Sequence, residues 1–190
     1  PRLGALEYII TTDQEASIIV EPYIDAGIKN HDSNWDDQFW ATDKKTTRDH
    51  RAYIEAHTLK TNFSVGTFME TQLFEGGKKL TTSAIQKEEE EKISHAFSHK
   101  LKANTPLTIV KYGGYVSSRN YSKDRLEQEA MLVLDEATQL SFSTLCKEQE
   151  KAWANTWKSA DITIEGDIKA QQAIRFNIFQ LNQTYTGDDA

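Results

Sequence analysis

The sequence contains one cysteine, fewer basic than acidic residues, and no long apolar run. A single cysteine, Cys146, excludes an internal disulfide framework and fits a reducing compartment, so we predict a cytoplasmic protein. No activating base can be identified near Cys146, which favours a packing thiol over a nucleophile. The 22 Lys and Arg are scattered among 29 Asp and Glu, which argues against a nucleic-acid surface. No segment reaches the roughly 18 to 20 apolar residues that a membrane-spanning helix needs.

The first two thirds of the chain show apolar residues at period two, which predicts antiparallel β structure over residues 1–118. A strand at 3–10 is expected to form a hairpin with a second strand at 18–20. Gly76 and Gly77 predict a tight turn, because both residues tolerate positive φ. The charge run at 87–92 (KEEEEK) is interpreted as an exposed linker. Further strands are predicted at 52–58, 93–101 and 107–116.

The period changes to that of helices after Ser118. Ser122 is a suitable N-cap for a helix that reaches about residue 140, and a second helix is predicted over 143–158. We interpret residues 119–160 as a helical linker between two domains.

The stretch from Trp153 to Leu181 joins the end of this linker to a further, much more apolar helix. After a turn at Gly166–Asp167, a helix shows apolar residues on nearly all sides and is therefore expected to be buried on nearly all sides. Asp167 is expected to be its N-cap. Nine residues follow Leu181, which predicts that the sequence is part of a larger protein.

Few residues have the pattern of a ligand site. Trp35, Phe39 and Trp40 form an aromatic cluster that could stack against sugar rings, although a structural anchor is the favoured interpretation. The polar loop at 25–37 lacks the spacing of a calcium-binding EF-hand. His95 and His99 lie on a predicted strand, where roughly 13 Å separates residues four apart. No metal site is predicted.

The residues around the second helix and the apolar helix carry a family resemblance. Trp153-x3-Trp157-x3-Asp161-Ile-x-Ile-Glu-Gly-Asp167, followed by Gln171-Gln-Ala-Ile-Arg-Phe-Asn177, closely resembles the junction between sandwich and barrel in glycoside hydrolase family 65. Upstream, Pro22-Tyr-Ile-Asp-Ala-Gly27 and Asn34-Trp-Asp-Asp-Gln-Phe-Trp40 look like the N-terminal domain of the members that act on maltose. The closing Thr186-Gly-Asp-Asp-Ala190 resembles the start of a loop that leads toward the active site in those enzymes.

The resemblance implies an antiparallel β-sandwich, a helical linker and the start of an (α/α)6 barrel at 161–190. It implies inverting phosphorolysis of an α-linked disaccharide, maltose in particular, with inorganic phosphate as co-substrate, no cofactor, and a homodimeric full-length protein. Kojibiose, nigerose or trehalose phosphorolysis, α-glucoside hydrolysis by the same family, and a carbohydrate-binding sandwich module are the alternatives.

The catalytic residues that the resemblance implies fall outside this sequence. The general acid, a Glu, is expected beyond Ala190, so no catalytic residue is assigned and the 190 residues alone are predicted to be inactive. Arg175, Asp188 and Asp189 are the candidates for substrate contact. Arg175 is expected to need a charged partner, because an unpaired buried charge is costly.

Overall fold

The computed structural model describes residues 3–27 and 38–184, which form two compact units, 1–142 and 143–190. The strands are β1 Leu3–Ile10, β2 Ala16–Val20, β3 Tyr23–Asp25, β4 Trp40–Arg48, β5 Arg51–Thr58, β6 Ser64–Glu75, β7 Lys78–Lys79, β8 Ile85–Glu88, β9 Lys92–Leu101 and β10 Leu107–Ser117. The helices are α1 Leu126–Ala137, α2 Phe142–Ala160 and α3 Ile168–Thr184, with a short 3-10 helix, Lys123–Arg125, before α1.

The strands form two antiparallel sheets. The larger sheet has the order β1-β10-β6-β5-β4, and β7 pairs with the end of β6. In the smaller sheet β9 is paired along its length, with β2 opposite its C-terminal half and with β3 and β8 opposite its N-terminal half. The predicted antiparallel sandwich followed by helices is therefore confirmed.

The predicted hairpin between the first two strands is wrong. β1 pairs with β10 in the larger sheet, where Leu3 lies opposite Gly114, whereas β2 pairs with β9 in the smaller sheet. The residues between them carry the chain from one sheet to the other. Alternation identified both strands correctly, but it does not specify which strand lies beside which.

The acidic run is a hairpin turn and not a linker. Lys87 and Glu88 belong to β8 and pair with Ser94 and Ile93 of β9, and the amide of Glu89 donates to the carbonyl of Lys92 over 2.8 Å. Like charges tolerate this turn because Glu89 and Glu90 are exposed to solvent and the Glu91 carboxylate accepts a hydrogen bond from Gln38. The Gly76–Gly77 turn is confirmed, with φ of 54° and 80°.

In the described part of the chain, two apolar clusters lie in the core between the sheets. One contains Ile24, Ala52, Ile54, Met69 and Ile93, and the other contains Leu73, Phe97, Leu101, Leu107 and Ile109. Ala52 and Ile54 of β5 and Met69 and Leu73 of β6 contribute to these clusters, at the even spacing that places residues on one face of a strand.

The outer face of the larger sheet is also covered, by α1. This helix buries Leu126, Ala130, Leu134 and Ala137. The covered strand residues include polar ones, so Glu55 and Glu70 are buried although they alternate with core residues. Tyr53 is fully buried here, and Gly66 makes room for it: a Cβ on Gly66 would lie 2.4 Å from the Tyr53 hydroxyl. Ser122 precedes the 3-10 helix but forms no side-chain cap hydrogen bond, which corrects its predicted role.

The helical unit leaves several of its large apolar side chains exposed. Trp153 packs against Trp157 and Phe179, with ring centroids 6.3 and 4.9 Å apart. Among the described residues from 143 to 184, however, none is buried, and Ile168 is 85% exposed. No helix in the described part of the chain is long and apolar enough to cross a membrane.

Candidate functional site

The aromatic cluster lies partly in a groove at the edge of the sandwich. Trp40 begins β4, and its side chain is partly buried, while the preceding Phe39 is 37% exposed. Trp40 lines a groove of about 400 Å³ between β4 and the acidic turn that joins β8 to β9. We call this the edge groove; its other lining residues include Gln38, Lys45, Leu59, Glu90 and Glu91.

Among the described residues, three hydrogen bonds connect the acidic turn to β4 and to the residues before β4 and after β3. The Gln38 amide donates to the Glu91 carboxylate over 2.5 Å, and the Lys45 ammonium donates to the carbonyl of Glu89. The backbone amide of Ala26 donates to the carbonyl of Glu91 over 2.8 Å. The groove is thus held by residues that lie far apart in the sequence, and two of its carboxylates belong to the run that sequence reasoning interpreted as a linker.

A larger cavity of about 840 Å³ lies beside α1, near the β4–β5 turn. Two of its charged residues, Arg51 and Glu70, are paired with each other. Arg51 donates to Glu70 and to Asp135 of α1, both over 2.7 Å, and Glu70 also accepts from Gln72 over 2.9 Å. These groups are satisfied where they are, which favours a structural role in joining α1 to the sheet.

The electrostatics of this network follow from burial and pairing. Burial opposes the charge of Arg51, but its hydrogen bonds to Asp135 and Glu70 outweigh this and raise its pKa. Burial and the hydrogen bond to Glu55 both raise the pKa of Tyr53, whose hydroxyl donates over 2.9 Å. Tyr53 therefore stays neutral and serves as a donor.

The two histidines of β9 do not form a metal site. His95 is buried and its Nε2 lies 2.7 Å from the Thr47 hydroxyl, whereas His99 lies 3.6 Å from Glu75. Burial lowers the pKa of His95, which favours the neutral ring. Over residues 3–27 and 38–184, no group of three or more His, Cys, Asp or Glu could hold a metal ion.

Arg175 has the charged partner that the sequence required. Its Nε and Nη2 donate to the two carboxylate oxygens of Asp161 over 2.8 and 2.6 Å. These bonds raise the pKa of Arg175 and lower that of Asp161. Half of the Arg175 side chain is exposed, so the burial predicted for it stays a prediction. The pair connects the end of α2 to the middle of α3.

Two more side chains fix the connection between α2 and α3. The Asp167 carboxylate accepts from the amide of Ala170 over 3.0 Å, which confirms its predicted role as N-cap. The Gln171 side chain accepts from the amide of Ile164 and donates to the carbonyl of Ile162. Gln171 thus connects its own helix to the segment that precedes it. The other predicted site residues, Trp35, Asp188 and Asp189, lie outside the described residues.

The fold has a counterpart among solved structures. A candidate kojibiose phosphorylase from the human microbiome superposes with a TM-score of 0.84 at 24% identity, over 99% of this chain and 24% of that one. The chain is thus a β-sandwich domain followed by a helical segment, of the kind found in that structure.

Sequence comparison identifies the family. The model for "Glycosyl hydrolase family 65, N-terminal domain" matches residues 1–156, and the chain belongs to this family. The maltose phosphorylase of Bacillus subtilis (strain 168) is 29% identical over 176 residues, which is 93% of this chain and 23% of that protein. The α,α-trehalose phosphorylase of Thermoanaerobacter brockii is 30% identical over 156 residues, 82% of this chain and 20% of that protein. The chain spans about a fifth to a quarter of the length of these curated relatives.

Proposed function

We propose that this chain belongs to an inverting disaccharide phosphorylase that converts maltose and phosphate to β-glucose 1-phosphate and glucose. The observation that carries the proposal is the similarity to a maltose phosphorylase along 93% of the chain. It is supported by the family match, which covers the sandwich and most of α2. The α,α-trehalose phosphorylase is similar along a smaller share of the chain, 82%, which favours maltose over trehalose as the proposed disaccharide.

The proposed reaction is a single displacement at the anomeric carbon. A phosphate oxygen forms a bond to that carbon from the face opposite the glycosidic oxygen, and the bond to the glycosidic oxygen breaks. A carboxylic acid gives its proton to the departing oxygen, as in inverting hydrolysis. Phosphate is already an anionic nucleophile, so no carboxylate base is needed to activate it. Phosphate is the co-substrate, and the proposal requires no cofactor.

We propose that the 190 residues have a structural role in the enzyme and do not contain its general acid. We place the general acid Glu in the part of the family's fold that follows Ala190, and we expect residues 161–190 to begin an (α/α)6 barrel. In this scheme the Asp161–Arg175 pair and the Gln171 side chain fix the entry to the barrel. Asp188 and Asp189 remain candidates for contact with the sugar.

The same proposal extends to location and assembly. One cysteine fits a cytoplasmic enzyme, and the family resemblance implies a homodimer of the full-length protein. We propose that the sandwich domain comprises residues 1–118 and the helical linker residues 119–160.

The test is a turnover assay of the full-length gene product. It is incubated with maltose, kojibiose, nigerose or trehalose, each with and without inorganic phosphate. We expect glucose to form from maltose only when phosphate is present, together with glucose 1-phosphate of β configuration by proton NMR. The 190-residue chain alone is the matched control and is expected to give no product.

Each other outcome changes the proposal in a defined way. Glucose release without phosphate would identify a hydrolase. Phosphate-dependent cleavage of another disaccharide would correct the substrate, and α-glucose 1-phosphate would overturn the inverting mechanism. No product from any of the four sugars would overturn the proposed activity.

A further inference from the structure

We propose that the edge groove binds a glucopyranoside, with one face of the sugar ring against the indole of Trp40. The proposal concerns a ligand site on the sandwich itself. It does not depend on the proposed phosphorolysis, because sugar binding to these residues requires neither phosphate nor a general acid.

The position of Trp40 supplies the first argument. Trp40 lies opposite Thr58, and along β5 the residues Thr58, Ala56 and Ile54 share the face that lines the core. Trp40 therefore points to the core side of the sheet, but at the end of the strand, where the core has ended. A large aromatic ring that lines an open groove offers an apolar surface to the C–H face of a sugar.

The polar groups of the groove supply the second argument. A sugar hydroxyl both donates and accepts, so a sugar site needs acceptors and donors close together. The carboxylates of Glu90 and Glu91 are acceptors, and Gln38 and Lys45 are donors. Leu59, which is 56% exposed, adds apolar surface. The groove is mostly polar, with Trp40 and Leu59 as its large apolar side chains, and its convergent polar groups could orient a small ligand against them.

The charges favour a neutral ligand over an anion. The ammonium of Lys44 is paired with Glu127 over 2.5 Å, and that of Lys45 donates to the carbonyl of Glu89. The lining thus places three carboxylates, Asp43, Glu90 and Glu91, against two lysines, one of which is already ion-paired, so a phosphate would meet net repulsion. A neutral polyol meets no such repulsion.

The size and rigidity of the groove fit one small ligand. Its volume of about 400 Å³ lies within the roughly 300 to 1,000 Å³ of ligand pockets. The Gln38–Glu91 and Lys45–Glu89 contacts fix both sides before a ligand arrives, so little ordering cost is added on binding.

The test is a titration of the full 190-residue chain with maltose, followed by ¹H–¹⁵N NMR. We expect saturable shifts of the Trp40 indole N–H and of the amides of Leu59 and Glu91. Trp40→Ala should weaken binding at least about tenfold, because the stacking surface is lost. Trp157→Phe is the matched control, since this tryptophan lies in the helical unit, and it should leave the affinity unchanged.

A second variant keeps the test decisive if Trp40→Ala disturbs the fold. Glu90 is exposed, so Glu90→Gln should leave the thermal midpoint unchanged and weaken maltose binding about threefold. The proposal is overturned by no saturable shift, by shifts that map away from the edge groove, or by both variants binding like the wild type. A chain that binds maltose while the full-length protein shows no turnover would support this inference and overturn only the proposed activity.

Discussion

The sandwich and the helical unit use similar apolar residues in opposite ways. Phe97 of β9 has no exposed surface, whereas Phe176 of α3 is 59% exposed. Ile93 is fully buried and Ile168 is 85% exposed. The difference lies in what packs against each element. β9 lies against a second sheet, while no described residue of the 143–184 segment reaches a buried environment.

Helix formation and burial are therefore separate properties of α3. Its limits follow from local features, namely the Asp167 cap and the apolar spacing, and the helix forms where they place it. Its burial requires packing partners, and no described residue of 143–184 is buried, so the burial predicted for α3 and for Arg175 stays a prediction.

The largest expected difference in stability is between truncation of a phenylalanine in the sandwich and truncation of one in the helical unit. Phe97→Ala removes a fully buried ring from a cluster with Leu73, Leu101 and Leu107, and we expect a loss of about 3–5 kcal/mol in the free energy of unfolding. Phe176→Ala should change it by less than about 0.5 kcal/mol, because most of the ring is already in water. Equilibrium urea unfolding of the two variants and the wild type measures both. Equal losses would show that α3 is buried in solution.

The sequence predicted the elements of the sandwich better than their partners. β1, β9 and β10 lie where alternation placed them, and the two-glycine turn is present. The pairing of β1 with β10 depends on residues about one hundred positions apart, and local periodicity carries no information about it. A strand pattern also predicts one buried face, whereas α1 covers the second face of β5 and buries Glu55.

The candidate site was predictable only in part. Trp40 was found as an aromatic among polar neighbours, but its partners Leu59 and Glu91 reach the groove through the β4–β5 pairing and the β8–β9 turn. The position of the acidic run at 87–92, directly before the strand pattern of β9, was the signal in the sequence that could have predicted the β8–β9 turn. The Asp161–Arg175 pair could not be assigned from sequence, because several carboxylates lie within reach of α3.

A second prediction concerns the pH dependence of the stability of the sandwich, which contains the buried His95. Burial lowers the pKa of this ring in the folded sandwich, so the unfolded chain takes up a proton at higher pH, about 6.5. The stability that neutral His95 contributes is complete above that pH and is lost as the pH falls through the unfolded and then the folded pKa. We expect urea unfolding to show this decline below about pH 6.5 and His95→Gln to reduce it.

The comparison at pH 8 is the control for this variant. His95 is neutral there in both states, so any difference between His95→Gln and the wild type reports packing and the bond to Thr47. Only the additional loss on acidification reports titration. An identical pH dependence in the two proteins would contradict the prediction.

The smallest effect is expected in the helical unit, at the exposed pair of Asp161 and Arg175. The hydrogen bonds from Arg175 lower the pKa of Asp161 in the folded state, so the pair stabilises the α2–α3 connection fully above the unfolded value of about 3.9. This contribution is lost as the pH falls from there through the folded pKa. An NMR titration of the Asp161 carboxyl carbon should show a midpoint below the ordinary aspartate range, and Arg175→Gln should return it to that range. Lys169→Gln removes a cation from the same helix without touching Asp161 and should leave the midpoint in place. If Asp161 titrates with the same midpoint in Arg175→Gln and in the wild type, the pair does not form in solution. The connection between α2 and α3 would then lack one of the few side-chain contacts that hold it.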